Sequence, residues 1–277
     1  MKCAWNQLLS ILPQRIRREV DILGREALQE LRLRLNQEPV MVLPQKRTRL
    51  MGPVTSEDLK YIINSATGYS PWTAASVSSG YFTAPGGHRI GICGEAVVEQ
   101  GVMTGMRGIH SLNIRVARDF PGISKGIPNA SGSVLIIGPP GSGKTTLLRD
   151  LIRIRSKTDA VAVVDEREEL FPKDAGFDYG SGIDILSRCS KPQGIEALLR
   201  NMGPTIIAVD EITAKADCDA LMQVRWCGVG VLATAHAGSR QDLMSRPVYH
   251  PLVKSGVFDW LVILSADKTY HTERMIA

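Results

Sequence analysis

The stretch GPPGSGKT, residues 138–145, is the part of the sequence whose residue types and spacing indicate chemistry most directly. It matches the pattern G-x-x-x-x-G-K-[ST] at every specified position, between an apolar run, SVLIIG, and a helical pattern, KTTLLRDLIRIRS. The glycines let successive backbone N–H groups turn toward phosphate oxygens, and the N-terminus of the following helix also favours an anion. A chance glycine-rich turn is the alternative, and this context weighs against it. The predicted phosphate-binding residues are Gly138, Pro139, Pro140, Gly141, Ser142, Gly143, Lys144, Thr145 and Thr146.

Two residues of this stretch have individual predicted roles. We expect Lys144 to reach the β and γ phosphates of a bound nucleoside triphosphate, and the Thr145 hydroxyl to ligate Mg²⁺. The sequence contains no guanine-reading motif of the N-K-x-D type, so ATP is favoured over GTP. The predicted cofactors are therefore ATP and Mg²⁺.

A second apolar run, TIIAVDEI, ends in two carboxylates, Asp210 and Glu211. A carboxylate directly after four apolar residues is predicted to lie at the end of a buried strand, where Asp210 can hold the Mg²⁺ hydration shell opposite Thr145. Glu211 is then placed to orient or deprotonate the attacking water. The alternative is a surface acidic pair that caps the next helix. A strand that ends in Asp-Glu favours a motor or switch ATPase over a small-molecule kinase.

Two further apolar runs end in polar residues that would lie at the same edge of a sheet. AVVDEREEL carries Asp165, Glu166, Glu168 and Glu169, and VLATAHAGS carries His236. Taken alone, the first is typical of a solvated charge run and the second of a core histidine. The carboxyl ends of parallel strands gather the ligand groups of such sheets, and this position favours a functional interpretation of both.

The second half of the chain alternates short β-rich runs with helical patterns. The predicted strands are SVLIIG, AVAVVD, TIIAVD, GVLATA and DWLVIL, and the predicted helices are KTTLLRDLIRIRS, GIEALLRNM and KADCDALMQVRWC. This alternation predicts an α/β domain of the RecA-like phosphate-loop NTPase class, with a mainly parallel sheet covered on both faces, over residues 126–277.

The first half predicts a smaller α+β domain over residues 1–125. LQELRLRLNQEPVMVL has the pattern of strands, TSEDLKYIINSAT opens with a capping box at Thr55, and GYFTAPGGHRIGICGEAVVEQG is predicted to be a hairpin. The first 20 residues are predicted to form one amphipathic helix rather than a signal peptide. The Gly- and Pro-rich stretch 118–132 is the predicted linker.

Composition limits the class of protein. No apolar run approaches the roughly 20 residues of a bilayer-spanning helix, so we expect no membrane crossing. The five cysteines are odd in number and include no C-x-x-C pair, which argues against a disulfide framework and a zinc site. Residues 1–125 hold 16 Lys and Arg against 10 Asp and Glu, whereas residues 126–277 hold 17 against 18. The basic half could meet nucleic acid, an anionic membrane or a nucleotide held by a neighbouring subunit, or simply be solvated.

The order of these motifs resembles that of the traffic ATPases of type II and type IV secretion. The stage III sporulation protein AA family of spore-forming Gram-positive bacteria is similar over nearly the whole chain. The segments that carry this resemblance are GYFTAPGGHRIGICGEAV, SLNIRVAR, GPPGSGKTTLLRDL, VVDEREEL, RNMGPTIIAVDEI and TAHAGS.

The resemblance implies roles for particular residues. Glu169 matches the second glutamate of the acidic box, a proposed water-activating base, and Glu211 matches the glutamate of the Asp-Glu strand. His236 matches the histidine of the His box, which is thought to couple the γ-phosphate to subunit movement. Asp210 stands where many secretion ATPases have glycine, and Thr213 begins a departure from the family pattern.

The resemblance also implies that N-terminal arginines complete the nucleotide site, because a guanidinium stabilises the developing charge on a γ-phosphate. The candidates are Arg89, Arg107, Arg115 and Arg118, with Arg89 and Arg115 favoured.

The function implied by the resemblance is that of an Mg²⁺-dependent ATP hydrolase. It would form a hexameric ring, peripheral to the membrane, at the mother-cell cytoplasmic face of the channel between mother cell and forespore, and would energise assembly of, or transport through, channel proteins. One alternative is a RecA-like ATPase stimulated by single-stranded nucleic acid, and the scattered aromatic residues of the basic half argue against it. The other is a non-catalytic nucleotide-binding assembly protein.

Overall fold

The computed structural model describes residues 1–25, 27–68, 80–127 and 132–275, and they divide into two compact units. The N-terminal unit comprises Lys2–Asp119 together with a short later segment, Pro172–Phe177. The C-terminal unit comprises the described residues of Phe120–Phe171 and Asp178–Ala277, with Met1. Residues 128–131 of the predicted linker lie outside the described residues.

The N-terminal unit is an α+β structure built on an antiparallel sheet. Its helices are α1 (Trp5–Ser10), α2 (Gln14–Gly24) and α3 (Ser56–Thr67). Its strands are β1 (Glu30–Arg34), β2 (Val40–Val42), β3 (Arg47–Arg49), β4 (Tyr81–Ala84), β5 (His88–Glu99) and β6 (Val102–Arg115). Within the described residues, the strand order is β3-β2-β1-β6-β5-β4, and every adjacent pair is antiparallel.

Local sequence explains most of these elements. The predicted capping box is present: the Thr55 hydroxyl accepts from the Asp58 N–H, and the Asp58 carboxylate accepts from the Thr55 N–H. The predicted hairpin is present as β4 and β5. The prediction of one N-terminal helix is wrong, because Pro13 stands between α1 and α2. Proline has no backbone N–H to donate within a helix, so the second helix starts after it.

The C-terminal unit confirms the predicted α/β class. Its helices are α4 (Lys144–Arg155), α5 (Lys191–Asn201), α6 (Lys215–Trp226), α7 (Arg240–Ser245) and α8 (His250–Lys254). Its strands are β7 (Val134–Ile137), β8 (Val161–Asp165), β9 (Ile183–Ser187), β10 (Ile206–Ile212), β11 (Gly230–Ala235), β12 (Trp260–Leu264) and β13 (Tyr270–Arg274). In the described part of this unit the strand order is β13-β12-β7-β11-β10-β8-β9, parallel except for β12 with β13.

Helices cover both faces of this sheet, as predicted. Alternate residues of β7 point to opposite faces: Leu135 joins a core cluster with residues of α5 and α6, whereas Ile136 joins a cluster with residues of α4. A sheet buried on both faces has near-continuous apolar strands, which explains why the central five were visible in the sequence. None of the described helices has the length and apolar character that a bilayer crossing requires.

A buried carboxylate fixes the segment that enters the C-terminal unit. Asp150, on α4, is almost wholly buried and accepts from the Gly122 N–H, the Ser124 N–H and the Ser124 hydroxyl at 2.7–2.9 Å. Arg153 donates to the same carboxylate at 2.7 Å. Burial alone would raise the pKa of Asp150, but these hydrogen bonds outweigh it and lower the pKa. The start of the unit is therefore tied to the helix that follows the glycine-rich loop.

Candidate functional site

The glycine-rich loop lies between β7 and α4 in the strand-loop-helix order that the sequence predicts. Gly143 has φ 101°, a conformation that L side chains rarely adopt. A Cβ at Gly138 would lie 2.8 Å from the Leu264 carbonyl oxygen, so the neighbouring strand leaves no room for a side chain there. The Ser142 hydroxyl is buried and has no hydrogen-bond partner among the described residues. A buried unpaired donor in such a loop fits a phosphate ligand.

Lys144 is the first residue of α4 and its side chain folds back under the loop. The ammonium donates to the carbonyl oxygens of Gly138 (2.8 Å) and Pro139 (3.0 Å), and its third partner is Nδ1 of His236 at 3.2 Å. Lys144 is only 7% exposed. Burial lowers the pKa of Lys144, and the charges of Asp210 and Glu211 partly offset that effect. The predicted phosphate-binding lysine and the predicted γ-phosphate sensor are therefore in direct contact.

Asp210 on β10 lies against the predicted Mg²⁺ ligand Thr145. The Thr145 hydroxyl donates to Asp210 Oδ2 at 2.7 Å. The other carboxylate oxygen accepts from the hydroxyl of Thr234, on the neighbouring strand β11. Strands β7, β11 and β10 are adjacent and parallel, so their carboxyl ends meet at one edge and bring these residues together.

Glu211 is turned out of the regular strand. Its φ is 55°, the β10–β11 register shifts between Val209 and Ile212, and its N–H donates to the Thr234 hydroxyl at 2.8 Å. The turn leaves Glu211 Oε1 2.9 Å from His236 Nε2 and Oε2 2.7 Å from Arg167 Nη1. A β-bulge with positive φ is a known way to redirect a side chain at a site.

Charge and hydrogen bonding keep Glu211 ionised. Burial opposes ionisation, but the hydrogen bond from His236 and the charge of Arg167 outweigh it, so the pKa of Glu211 lies below its ordinary value. The ammonium of Lys144 has no acceptor, so His236 Nδ1 accepts from it and Nε2 carries the hydrogen that Glu211 receives. This assignment gives a continuous chain of hydrogen bonds from the glycine-rich loop to the Asp-Glu strand.

The acidic run folds as a turn after β8 rather than as a group of mutually repelling carboxylates. Asp165, 2% exposed, accepts from the backbone N–H groups of Glu169, Leu170 and Phe171 at 2.9–3.0 Å. Glu166 pairs with Lys191 at 2.7 Å, and Glu168 pairs with Arg188 at 3.0 Å. Both contacts are ion pairs. The carboxylates of Asp165, Glu166 and Glu168 therefore each have their own partners, which reduces the repulsion that the sequence alone suggests.

Glu169 is held in this turn by its backbone. Its N–H donates to Asp165, and its carbonyl oxygen accepts from Arg149 Nη2 at 2.7 Å. The role that the resemblance implies for its carboxylate stays a prediction.

The favoured arginines lie in the N-terminal unit. Arg89 and Arg115 are directly opposite each other on β5 and β6, and they line a cavity of about 350 Å³ with Glu30 and Tyr81. The guanidinium of Arg89 stacks on the Tyr81 ring, 3.8 Å from its centroid. Of the other two candidates, Arg107 on β6 pairs with Glu95 on β5, both side chains being exposed, and Arg118 follows β6.

Three residues that hydrogen-bond to groups of this site were not predicted from the sequence. In the sequence Arg167 lies within a run of four acidic residues and has no assigned role; in the structure its contact with Glu211 shows that it is part of the site. Thr234 was part of the TAH motif but had no assigned role, although it contacts both Asp210 and Glu211. Arg149 was an ordinary charged position on a helix, and no signal in a single sequence marks it as buried.

Comparisons with known proteins show which family the chain resembles. A family model described as sporulation stage III, protein AA, matches residues 3–276. Stage III sporulation protein AA of Bacillus subtilis (strain 168) is 34% identical over 281 residues, which cover 95% of this chain and 92% of that protein.

Two solved structures extend the comparison to the fold. The Legionella pneumophila ATPase DotB is similar with a TM-score of 0.58 and 18% identity, over 89% of this chain and 76% of that one. The pilus retraction motor PilT, solved with bound ADP, is similar with a TM-score of 0.61 and 17% identity, over 90% and 76%. At these identities the likeness shows the fold alone, which is the RecA-like fold of these ATPases. The family model and the 34% identity over 95% of the chain show that the chain belongs to the sporulation stage III protein AA family.

Proposed function

We propose that this protein is an Mg²⁺-dependent ATPase motor. The observation that carries the proposal is the hydrogen-bonded chain from Lys144 through His236 to Glu211, beside the Thr145–Asp210 contact. Nucleotide hydrolysis needs a lysine that binds phosphate, a hydroxyl and a carboxylate that hold a metal ion, and an ionised carboxylate that acts on water. A carboxyl edge of a parallel sheet is where such groups act together.

The residues present fit a nucleotide phosphate and Mg²⁺. The buried, unpaired Ser142 hydroxyl and the left-handed Gly143 belong to a loop shaped for an anion. Thr145 and Asp210 supply hard oxygen ligands, which Mg²⁺ prefers. When bound, Mg²⁺ would neutralise charge on the phosphates; the chain itself supplies binding and orientation.

The remaining groups would act on the attacking water. Glu211, ionised and held from two sides, orients that water and accepts its proton. His236 links Glu211 to Lys144, so a change in the contacts of Lys144 when phosphate binds alters the partner of Glu211. This link is the physical basis for proposing His236 as the γ-phosphate sensor. Glu169 is kept as a second candidate base on the strength of the family resemblance.

The proposed working form is a hexameric ring, as the resemblance implies. We propose that Arg89 and Arg115 complete the site of a neighbouring subunit. Supporting this, the two side chains leave adjacent strands at matching positions, which lets two guanidinium groups serve one anionic ligand. We further propose that the ring acts at the mother-cell cytoplasmic face, on channel proteins between mother cell and forespore.

Hydrolysis by the purified chain is the first test. Wild-type protein should hydrolyse ATP only with Mg²⁺, and Lys144→Ala and Glu211→Gln should each reduce kcat by at least roughly a hundredfold. The matched control is Lys215→Ala, which removes an exposed lysine that pairs with Asp219 on α6, and it should retain wild-type kcat. Wild-type turnover in Lys144→Ala or Glu211→Gln would reject the site assignment. ATP binding without turnover in wild type would instead support the non-catalytic alternative.

Assembly and partners need separate measurements. Sedimentation with Mg²⁺ and a non-hydrolysable ATP analogue should give a hexamer, and a strict monomer would contradict the ring. Stimulation of hydrolysis by single-stranded DNA, falling steeply with salt, would favour the nucleic-acid alternative. Co-purification with defined channel proteins from sporulating cells, lost in a strain that lacks them, tests the proposed role in the channel.

A further inference from the structure

Arg167 contacts the predicted catalytic carboxylate without belonging to the predicted site. Its Nη1 lies 2.7 Å from Glu211 Oε2, while the other oxygen of the same carboxylate accepts from His236. Two donors on two oxygens fix the plane of a carboxylate more firmly than either alone. Both side chains are partly exposed, 46% for Arg167 and 31% for Glu211, so the contact adds little to folding stability. The main effect of this contact is therefore on the position of the Glu211 carboxylate and not on the stability of the fold.

The turn that carries Arg167 is fixed from one side by Asp165. Three consecutive backbone N–H groups, those of residues 169–171, donate to the Asp165 carboxylate. The turn also closes on itself, because the Glu168 N–H donates to the Asp165 carbonyl oxygen at 3.2 Å. Burying a carboxylate is costly, and these three hydrogen bonds offset part of the lost hydration only while the turn keeps this shape.

Arg149 fixes the same turn from the opposite side. It lies on α4, five residues after Lys144, and is 4% exposed. Its guanidinium donates to the carbonyl oxygens of Glu169 and Leu170. The N–H groups of the turn are thus held by Asp165 and its carbonyl groups by α4, the helix that begins at the glycine-rich loop. The backbone that presents Arg167 is consequently tied to the element that binds phosphate.

We propose that Arg167 is a positioning residue for Glu211, presented by a turn that Asp165 and Arg149 hold rigid. The inference rests on the proposed ATPase function, because it assigns Arg167 a role in the same site. Arg167 acts through Glu211 and not on the nucleotide. Its removal therefore affects the chemical step, expressed in kcat, and leaves the affinity for ATP nearly unchanged.

The test compares two arginines that pair with glutamates near the same turn. Arg167→Ala should lower kcat by roughly tenfold, with KM for ATP within about twofold of wild type. Arg167→Lys keeps a positive donor and should recover at least about half of the wild-type kcat. The control is Arg188→Ala, which removes the 76%-exposed partner of Glu168 and should stay within about twofold of wild type. Binding of a fluorescent ATP analogue verifies that each variant is folded.

A double variant separates action through Glu211 from direct contact with the nucleotide. In the Glu211→Gln background, Arg167→Ala should leave the residual single-turnover rate unchanged. A further fall in that rate would show direct action on the phosphates and overturn the inference. Equal kcat for Arg167→Ala and Arg188→Ala in an active enzyme would also overturn it, while leaving the ATPase assignment intact. If wild type hydrolyses no ATP, the proposed function fails first and this inference fails with it.

Discussion

Asp165 offers the most quantitative prediction, because two opposing effects act on one buried carboxyl group. Burial raises its pKa from 3.8 to about 6, and the charge of Asp210 adds to the rise, while the N–H donors of Phe171 and Leu170 oppose it. A shift of this size corresponds to about 3 kcal/mol of differential stability between the two protonation states. Because Asp165 is almost wholly buried, solvent screening does not reduce this figure much.

The sign follows from proton binding. The folded state binds this proton more tightly than the unfolded chain, so the contribution to stability is fully present below pH 3.8. It is lost as the pH rises through about 6. We expect the free energy of unfolding of wild type, relative to Asp165→Asn, to fall by about 2 to 3 kcal/mol between pH 4 and pH 7. The contributions of titrating groups that do not interact with Asp165 cancel in this difference.

The assay is urea unfolding in Mg²⁺-free buffer, and the readout is the hydrogen exchange of peptides from β8 and β10. These peptides report on the C-terminal unit by itself. Asparagine cannot accept all three N–H donors, so it also changes stability by an amount independent of pH, and only the slope with pH is diagnostic. Parallel curves for the two proteins would refute the reasoning. A slope of opposite sign would show that the three N–H donors, and not burial, determine the pKa of Asp165.

Three further variants test other parts of the structure. His236→Ala should keep ATP affinity within roughly threefold and lower kcat by at least roughly tenfold, measured by equilibrium binding and steady-state hydrolysis. Asp210→Asn should raise the Mg²⁺ concentration for half-maximal activity by roughly tenfold, measured by Mg²⁺ titration. Asp150→Ala leaves buried Arg153 without its carboxylate and should lower the free energy of unfolding by about 3 to 5 kcal/mol. Asp159→Ala, which removes the i,i+4 partner of Arg155 in the turn after the same helix, should cost less than about 1 kcal/mol in the same denaturation experiment.

The sequence predicted the central strands of the C-terminal unit but not its edges. The five predicted strands are buried on both faces and read as continuous apolar runs, which sets them apart from helices and loops. Strands β9 and β13 were missed because each is an edge strand, only partly buried, with polar residues among the apolar ones. Their conformation depends on pairing with β8 and β12 rather than on their own residue pattern.

Local patterns in the sequence determined the glycine-rich loop, the capping box at Thr55 and which residues were candidates for the site. In each case the information lies in neighbouring residues: a glycine where the backbone turns, or a carboxylate three residues from a hydroxyl. These features follow from short-range sterics and hydrogen bonding, so one sequence suffices to predict them.

Only the tertiary structure decided how the polar residues pair. Arg167 and Glu211 are 44 residues apart in the chain, and Lys144 and His236 are 92 apart, yet each pair is in hydrogen-bonding contact. Such contacts depend on strand order, on the register of parallel strands and on the irregular backbone at Glu211. None of these is encoded in the residues nearby. The sequence therefore determined which chemical groups are present, and the packing of the sheet determined which of them act on one another.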